Sequence, residues 1–484
     1  MGRTPDVTLV FGASGYIGGH LVPRLLEGGR RVRAAARDAA SLDRPGWEGV
    51  QRMSADALQP ETLDPVLRNV HTAYYLVHSM AAGKDFGRLD LECAENFAAA
   101  AARAGVRRIV YLGGLIPEGA RSEHLLSRKE TGDRLRAGPV PVTEIRAGII
   151  VGPGSAAFEV IRDLVNTLPA MVTPRWVRAR TPPIALDNLL EYLVRIPDNA
   201  PAEHEIFDAA GPEELSYEEL MRGFGEIVGR DPLILPVPVL TPTLSSYWLG
   251  LVTTVPTSVA RALIGGLAHD IHASPGALRR RVPQRLLDYR EAVTAALDAE
   301  RRQAVAARWT EGALMYRNYR QDYAFYAKRA SGSAVTDAAP ADVWRVVTSI
   351  GGRNRYYALD FLWTLRELAD WLVGGPGLSH GRRHEAELRV GDTVDSWQVI
   401  GLEPGRRLTL LFGMKAPGAG ILEFEVAPEG GRTRVTATAY WHPRGALGLL
   451  YWYPLAPFHG LIFSRMTDAI ARRAESGAAA AAAG

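Results

Sequence analysis

Glycines and a few polar side chains at fixed spacing carry the chemistry legible in this chain. Gly12, Gly15 and Gly18 recur every third residue within Val7 to Leu25, VTLVFGASGYIGGHLVPRL. An apolar run (Val7, Leu9, Val10, Phe11) precedes them and an apolar helical pattern (Ile17, Leu21, Leu25, Leu26) follows. Strand, glycine turn and helix in that order bind a dinucleotide: free N–H groups and the dipole at the helix N-terminus favour its diphosphate. Gly12 allows the tight turn, Gly15 lets backbone amides approach the pyrophosphate, and Gly18 lets the helix pack closely on the strand. Ser14, Tyr16 and Ile17 complete the turn. Arg37 ends a second predicted strand (Arg31 to Arg37), where the adenosine ribose of a bound dinucleotide lies. A cation there suits the 2′-phosphate of NADP, whereas an acidic residue would take the 2′-hydroxyl of NAD. NADP is therefore the expected cofactor, ahead of NAD. Asp56, closing a third strand, either accepts from the adenine amino group or simply closes a turn. Leu76, on a fourth strand, is the last residue of the expected cofactor site.

A second constellation is His124 and Arg128, four residues apart and hence on one helical face. Histidine titrates near neutrality and can donate or accept a proton. Arginine can hold ribose hydroxyls but stays charged. The alternative is a polar helix face on which Arg128 pairs with Glu123, Glu130 or a neighbouring loop. Cys93 is the only cysteine, which excludes a disulfide framework and a thiolate metal cluster. His442 and His459 have no neighbours at metal-ligand spacing, so no metal is expected.

These residues need a scaffold. Strands are predicted at Ala73–Val77 and Arg108–Leu112 with a helix (Leu91 to Ala104) between them, followed by a strand over Thr143–Val151 and a later one at Glu205–Ala210. The alternation of strands and helices predicts an α/β doubly wound parallel sheet. GASGYIG, YYLVHS, RRIVYLGGL and RAGIIVGPGS together resemble the atypical, extended short-chain dehydrogenase/reductase family over roughly the first 300 residues. The resemblance implies an NAD(P)-binding Rossmann domain (1–305) whose small substrate lobe draws mainly on 156–200 and 212–285. It also implies reduction of a carbonyl, which in the family relies on a tyrosine with a lysine four residues later. That pair is missing: the residues four before Lys84, Lys129, Lys328 and Lys415 are Met80, Leu125, Ala324 and Leu411. Gly113 and Gly114 stand where a serine or threonine is usual. His124 and Arg128 occupy the register of the missing pair. The expected activity is oxidoreduction of a hydrophobic carbonyl, enone or quinone-like small molecule, with His124 as proton donor. The alternative is an NADP(H)-binding sensor without catalysis.

Beyond a linker (306–330), a second domain is expected over 331–475. A helix opens at Ala338, five alternating runs between Glu385 and Trp441 predict an antiparallel sheet, and an apolar helix (Ala446 to Arg473) closes it. This pattern resembles the START-like helix-grip (SRPBCC) superfamily, which implies an apolar ligand between helix and sheet. Eleven Trp and Tyr residues, Trp344 to Tyr453, line such a cavity or form a core. The closing helix is apolar over nearly a membrane's thickness but carries Pro454, Pro457 and His459, so burial against the sheet is expected ahead of insertion. Peripheral membrane contact stays open. Residues 476–484 are expected to be a disordered tail.

Composition sets the outer bounds. At 484 residues, 47% hydrophobic, 23% charged and a net charge of +3, the chain is globular and offers no basic surfeit for nucleic acid. The first strand begins almost at Met1 with no leader-like run before it, so a cytoplasmic location is expected. Nothing in the sequence fixes the oligomeric state.

Overall fold

The computed structural model describes residues 6–44, 46–77, 86–117, 123–199, 203–237, 269–301, 327–372 and 388–482. The chain divides into two compact units, Met1–Trp309 and Thr310–Gly484.

In the first unit, β1 (Val7–Phe11), β2 (Arg31–Ala36), β3 (Gln51–Ser54), β4 (Val70–Tyr75), β5 (Arg108–Gly114), β6 (Val142–Ala147) and β7 (Glu205–Ala209) form one sheet. Its order is β7-β6-β5-β4-β1-β2-β3, and every pairing is parallel. A parallel sheet needs cover on both faces, and alternate side chains supply it. Val10, Ala34, Tyr74, Val110 and Ile145 pack toward α1 (Tyr16–Glu27), while Leu9, Phe11, Ala73, Tyr75 and Ile109 pack toward α3 (Phe86–Arg103), which follows the short α2 (Leu63–Leu67). The order reverses between β1 and β4, so the crevice beyond their C-terminal ends is the switch point where such sheets bind ligands. α4 (Glu123–Arg136) leads from β5 to β6.

Several boundaries differ from the sequence expectation. The sixth strand stops at Ala147, and Ile150–Val151 turns away to pair with Ile184–Ala185. Ala170–Pro174 pairs with Leu233–Val237, so Pro174 and Pro236 sit in a two-stranded ribbon, where edge positions tolerate a missing N–H. A small lobe core is built by α5 (Ala156–Thr167), α7 (Tyr217–Val228) and α8 (Tyr289–Arg301). α6 (Leu186–Asn199), assigned by sequence to the lobe, instead packs its Leu189, Leu193 and Ile196 on the main sheet beside α1. Asp187 lies inside its first turn and pairs with Arg24 of α1 at 2.5 Å. Within the lobe a fully buried Arg162 joins Glu159 of its own helix and, at 3.0 Å, Glu300 of α8. The apolar segment 244–267 and most of the expected linker lie outside the described residues.

The first element described in the second unit is a strand absent from the sequence expectation, β8 (Lys328–Thr336). After α9 (Pro340–Thr348) and α10 (Asp360–Leu372) come β9 (Thr393–Val394), β10 (Trp397–Glu403), β11 (Arg407–Phe412), β12 (Gly418–Glu429) and β13 (Arg432–Pro443). The sheet is antiparallel in the order β8-β13-β12-β11-β10-β9, so the first strand closes against the last. The expected strand at 385–390 falls mostly outside the described residues. α11 (Gly445–Ala482) buries Phe463, Met466, Ile470 and Ala474 on the sheet. A Cβ on Gly332 would stand 2.3 Å from the Phe463 carbonyl carbon, so only glycine lets β8 and α11 come this close. The expected disordered tail is corrected: the helix runs on through Ala482, as an alanine run favours. By length and composition Gly445–Gly477 could also cross a membrane, with mean hydropathy 1.2.

Candidate functional site

The glycine turn follows β1 as its spacing predicts. Gly12 has φ +91°, and its N–H and that of Ala13 both donate to the Ala35 carbonyl at 3.0 and 3.1 Å. A Cβ on Gly12 would lie 2.8 Å from the Leu76 carbonyl, because Leu76 N–H closes on the Phe11 carbonyl at 2.9 Å. Leu76 thus walls the turn through its backbone. A Cβ on Gly18 would lie 2.5 Å from the Gly12 carbonyl oxygen and 2.7 Å from Ala13 Cα. Gly15 is the N-cap of α1, and no side chain caps it. The amides of Tyr16, Ile17 and Gly18 precede the first intrahelical acceptor relationship, Gly19 N–H to Gly15 carbonyl at 2.9 Å. They form the open N-terminus that an anion takes. The Ser14 side chain is exposed at the tip of the turn, and the Tyr16 ring lies edge-on to His20 at 4.9 Å.

The adenosine side of the turn is basic. Arg37 follows β2, exposed and without a side-chain hydrogen bond among the described residues. Asp56 is at least partly a turn residue: its Oδ1 accepts from Leu58 N–H at 3.0 Å, while its backbone carbonyl takes the Thr62 hydroxyl at 2.9 Å. A second cation, Arg44, escaped the sequence reading. Its Nη2 donates to the Ser14 carbonyl at 2.7 Å and its guanidinium lies 5.3 Å from the Trp47 ring centre. Its Nη1 is buried with no acceptor. Burial pulls Arg44 below the usual arginine range, though arginine keeps its charge in proteins. No local pattern marks Arg44; a cation eight residues past the end of β2 becomes relevant only once that loop folds back on the turn. Cys93 lies in the same neighbourhood. Burial, with the Asp56, Asp90 and Glu92 carboxylates, pushes its thiol up to about 12, so it behaves as a small hydrophobe.

At the end of β5, Arg128 and His124 fare differently. Both belong to α4. Arg128 lies over Gly114, where a Cβ would be 3.5 Å from Arg128 Cδ, and its Nε is buried with no acceptor. The missing side chain at 114 makes the space that Arg128 fills. The His124 side chain lies outside the described residues. Glu130 does not pair with Arg128, and the Glu123 side chain lies outside the described residues. Gly113 has a different reason: a Cβ there would stand 2.9 Å from Oε1 of Glu144, a buried carboxylate held by Arg136 and by Arg146 at 2.7 Å. Tyr111 on β5 is no substitute for the missing tyrosine. It donates to the Arg128 carbonyl at 2.9 Å, and burial pushes its phenol up to about 12.

In the second unit the aromatic residues serve mostly as core. Tyr356, Trp363, Trp397, Trp441 and Trp452 are buried in one cluster, whereas Trp371 is 53% exposed on α10.

Residues 12–135 match a family described as NAD(P)H-binding, and residues 324–466 match DUF2867, a family of unknown function. The chain is 25% identical over 267 residues to a ceramide reductase of Caulobacter vibrioides, covering 51% of this chain and 80% of that one. It is 28% identical over 232 residues to the (4-alkanoyl-5-oxo-2,5-dihydrofuran-3-yl)methyl phosphate reductase of Streptomyces griseus, covering 46% and 74%. Among solved structures, the triphenylmethane reductase of Citrobacter sp. superposes with TM-score 0.50 at 18% identity, covering 60% of this chain and 99% of that one. The first unit thus has the fold of that reductase and, over residues 12–135, the match to an NAD(P)H-binding family.

Proposed function

We propose that the chain is an NADP-dependent reductase of a hydrophobic carbonyl, enone or quinone-like small molecule, and that its C-terminal unit, a helix-grip fold of the START-like kind, encloses an apolar ligand. The observation that carries the cofactor choice is Arg44, whose Nη1 is buried without an acceptor beside the glycine turn. A buried donor left unmade is costly, and a phosphate oxygen satisfies it. Gly12, Gly15 and Gly18 form the cradle, the amides of Tyr16 and Ile17 take the diphosphate, and Arg37 with Arg44 takes the 2′-phosphate. When bound, the cofactor supplies a hydride. Arg128, whose Nε is buried without an acceptor over Gly114, holds ribose hydroxyls or the substrate oxygen at the C-terminal end of β5. The reduced oxygen needs a proton, which His124 donates from the preceding turn of α4. The two named reductases among the relatives support the reaction class. The order β8, two helices, antiparallel strands and a closing helix laid on the sheet supports the helix-grip reading.

The missing tyrosine and lysine favour a second reading, an NADP(H)-binding sensor. NADPH oxidation with a panel of apolar aldehydes, enones and quinones separates the two. The reductase reading expects turnover on at least one substrate, lowered about 100-fold or more by His124→Ala, the lower end of the range for general acid catalysis being about 100-fold. Tight NADPH binding with no turnover on any of them leaves the sensor.

A further inference from the structure

The second unit holds a half-buried cation that no described residue neutralises. Arg366 projects from α10 onto the sheet, with its guanidinium 4.3 Å from the Phe412 ring centre, 5.7 Å from Trp363 and 5.9 Å from Trp397. Trp397 and Phe412 are direct partners across β10 and β11, so the two rings stand side by side on one sheet face. Trp363 is one turn before Arg366 on the same helix, and its ring meets that of Trp397 at 6.5 Å.

Arg366 makes no hydrogen bond or ion pair with any described residue, and its Nε is buried without an acceptor. Trp363 Nε1, a second buried donor, also lacks one. The carboxylates of α10 are turned elsewhere. Glu367 holds Arg355 at 3.1 Å, and Asp370 Oδ1 takes Lys415 N–H at 2.6 Å, its other oxygen being buried without a donor. His459 of α11 lies within the field of Arg366, and its Nδ1 has no partner. Burial first, and then that positive charge, lowers its pKa to about 4. Aromatic faces compensate part of a guanidinium's lost hydration but supply no acceptor for its N–H groups.

We infer that the C-terminal unit takes an amphipathic carboxylate, its head on the Arg366 fork and its apolar body among Trp363, Trp397, Phe412 and the buried face of α11. A single guanidinium matches a carboxylate in charge and in its two parallel N–H donors. The three rings around Arg366 match an alkyl chain or ring system and not a small hydrophilic anion. This assignment rests on the reading of the unit as a ligand enclosure and adds the head group to it.

Equilibrium dialysis of the full chain against labelled palmitate and, separately, hexadecanol tests it, since the two probes share a chain and differ in the head. The expected result is palmitate bound at least ten times more tightly than hexadecanol. Arg366→Gln then abolishes that preference while leaving hexadecanol binding and NADPH binding as they were. Arg366→Lys, which keeps the charge and loses the fork, retains part of it. Equal affinity for both probes in the unaltered chain, or a preference that survives Arg366→Gln, overturns the carboxylate assignment and leaves the enclosure standing. Binding of neither probe overturns both. If Arg366→Gln fails to fold by circular dichroism, Arg366→Lys decides: an undiminished preference overturns the role of the fork.

Discussion

Arg37 and Arg44 reach the same side of the glycine turn by different routes, and the physics of each predicts a different variant. Arg37 is exposed, so its removal costs the fold little, whereas Arg44 also holds the Ser14 carbonyl and packs on Trp47. A charged hydrogen bond to phosphate is worth about 1.5–3 kcal/mol, or roughly 10- to 150-fold in affinity. Arg37→Ala and Arg44→Ala should each weaken NADPH by about that factor and NADH far less, as fluorescence titration with both cofactors would measure. Equal losses for the two cofactors would make the arginines structural. Arg37 was legible in the sequence, because its place follows directly from a strand end. Arg44 was not, because only the fold of the loop after β2 carries it to the turn.

The strand, turn and first helix act as one element whose tolerance is set by backbone contact. Gly18 lies in the first turn of α1, where alanine would ordinarily gain up to about 1 kcal/mol in helix propensity. Here its methyl would press on the Gly12 carbonyl and Ala13 Cα, backbone atoms that cannot swing aside. The overpacking cost of about 1–3 kcal/mol exceeds the propensity gain. Gly18→Ala should therefore lower the melting temperature and weaken NADPH binding together; a variant as stable as the parent would mean that the turn relaxes freely. Gly332 is held to glycine by the same close approach of backbone, yet no local pattern in the chain announces it. KRASGSAVT has few of the branched and aromatic residues that announce a strand, and β8 exists because the open edge of β13 accepts it.

For the molecule as a whole, two separate hydrophobic cores in two compact units predict two-part unfolding. Calorimetry of the full chain should show two transitions. NADPH at 100 times its dissociation constant should stabilise one of them by about 2.7 kcal/mol and leave the other in place. A single transition that moves as one body would show that the units unfold together.

The sequence by itself determined the dinucleotide turn, the parallel sheet, the antiparallel second unit and the absence of a tyrosine–lysine pair. Each of these depends on residues near one another in the chain, through strand and helix periodicity or glycine spacing. Tertiary structure decided what depends on distant segments meeting. It placed Arg44 at the turn, α6 on the sheet, Glu144 behind Gly113 and Arg128 over Gly114. It also set Arg366 among three rings drawn from a helix and two strands, leaving a cation whose counter-charge no part of the described chain supplies.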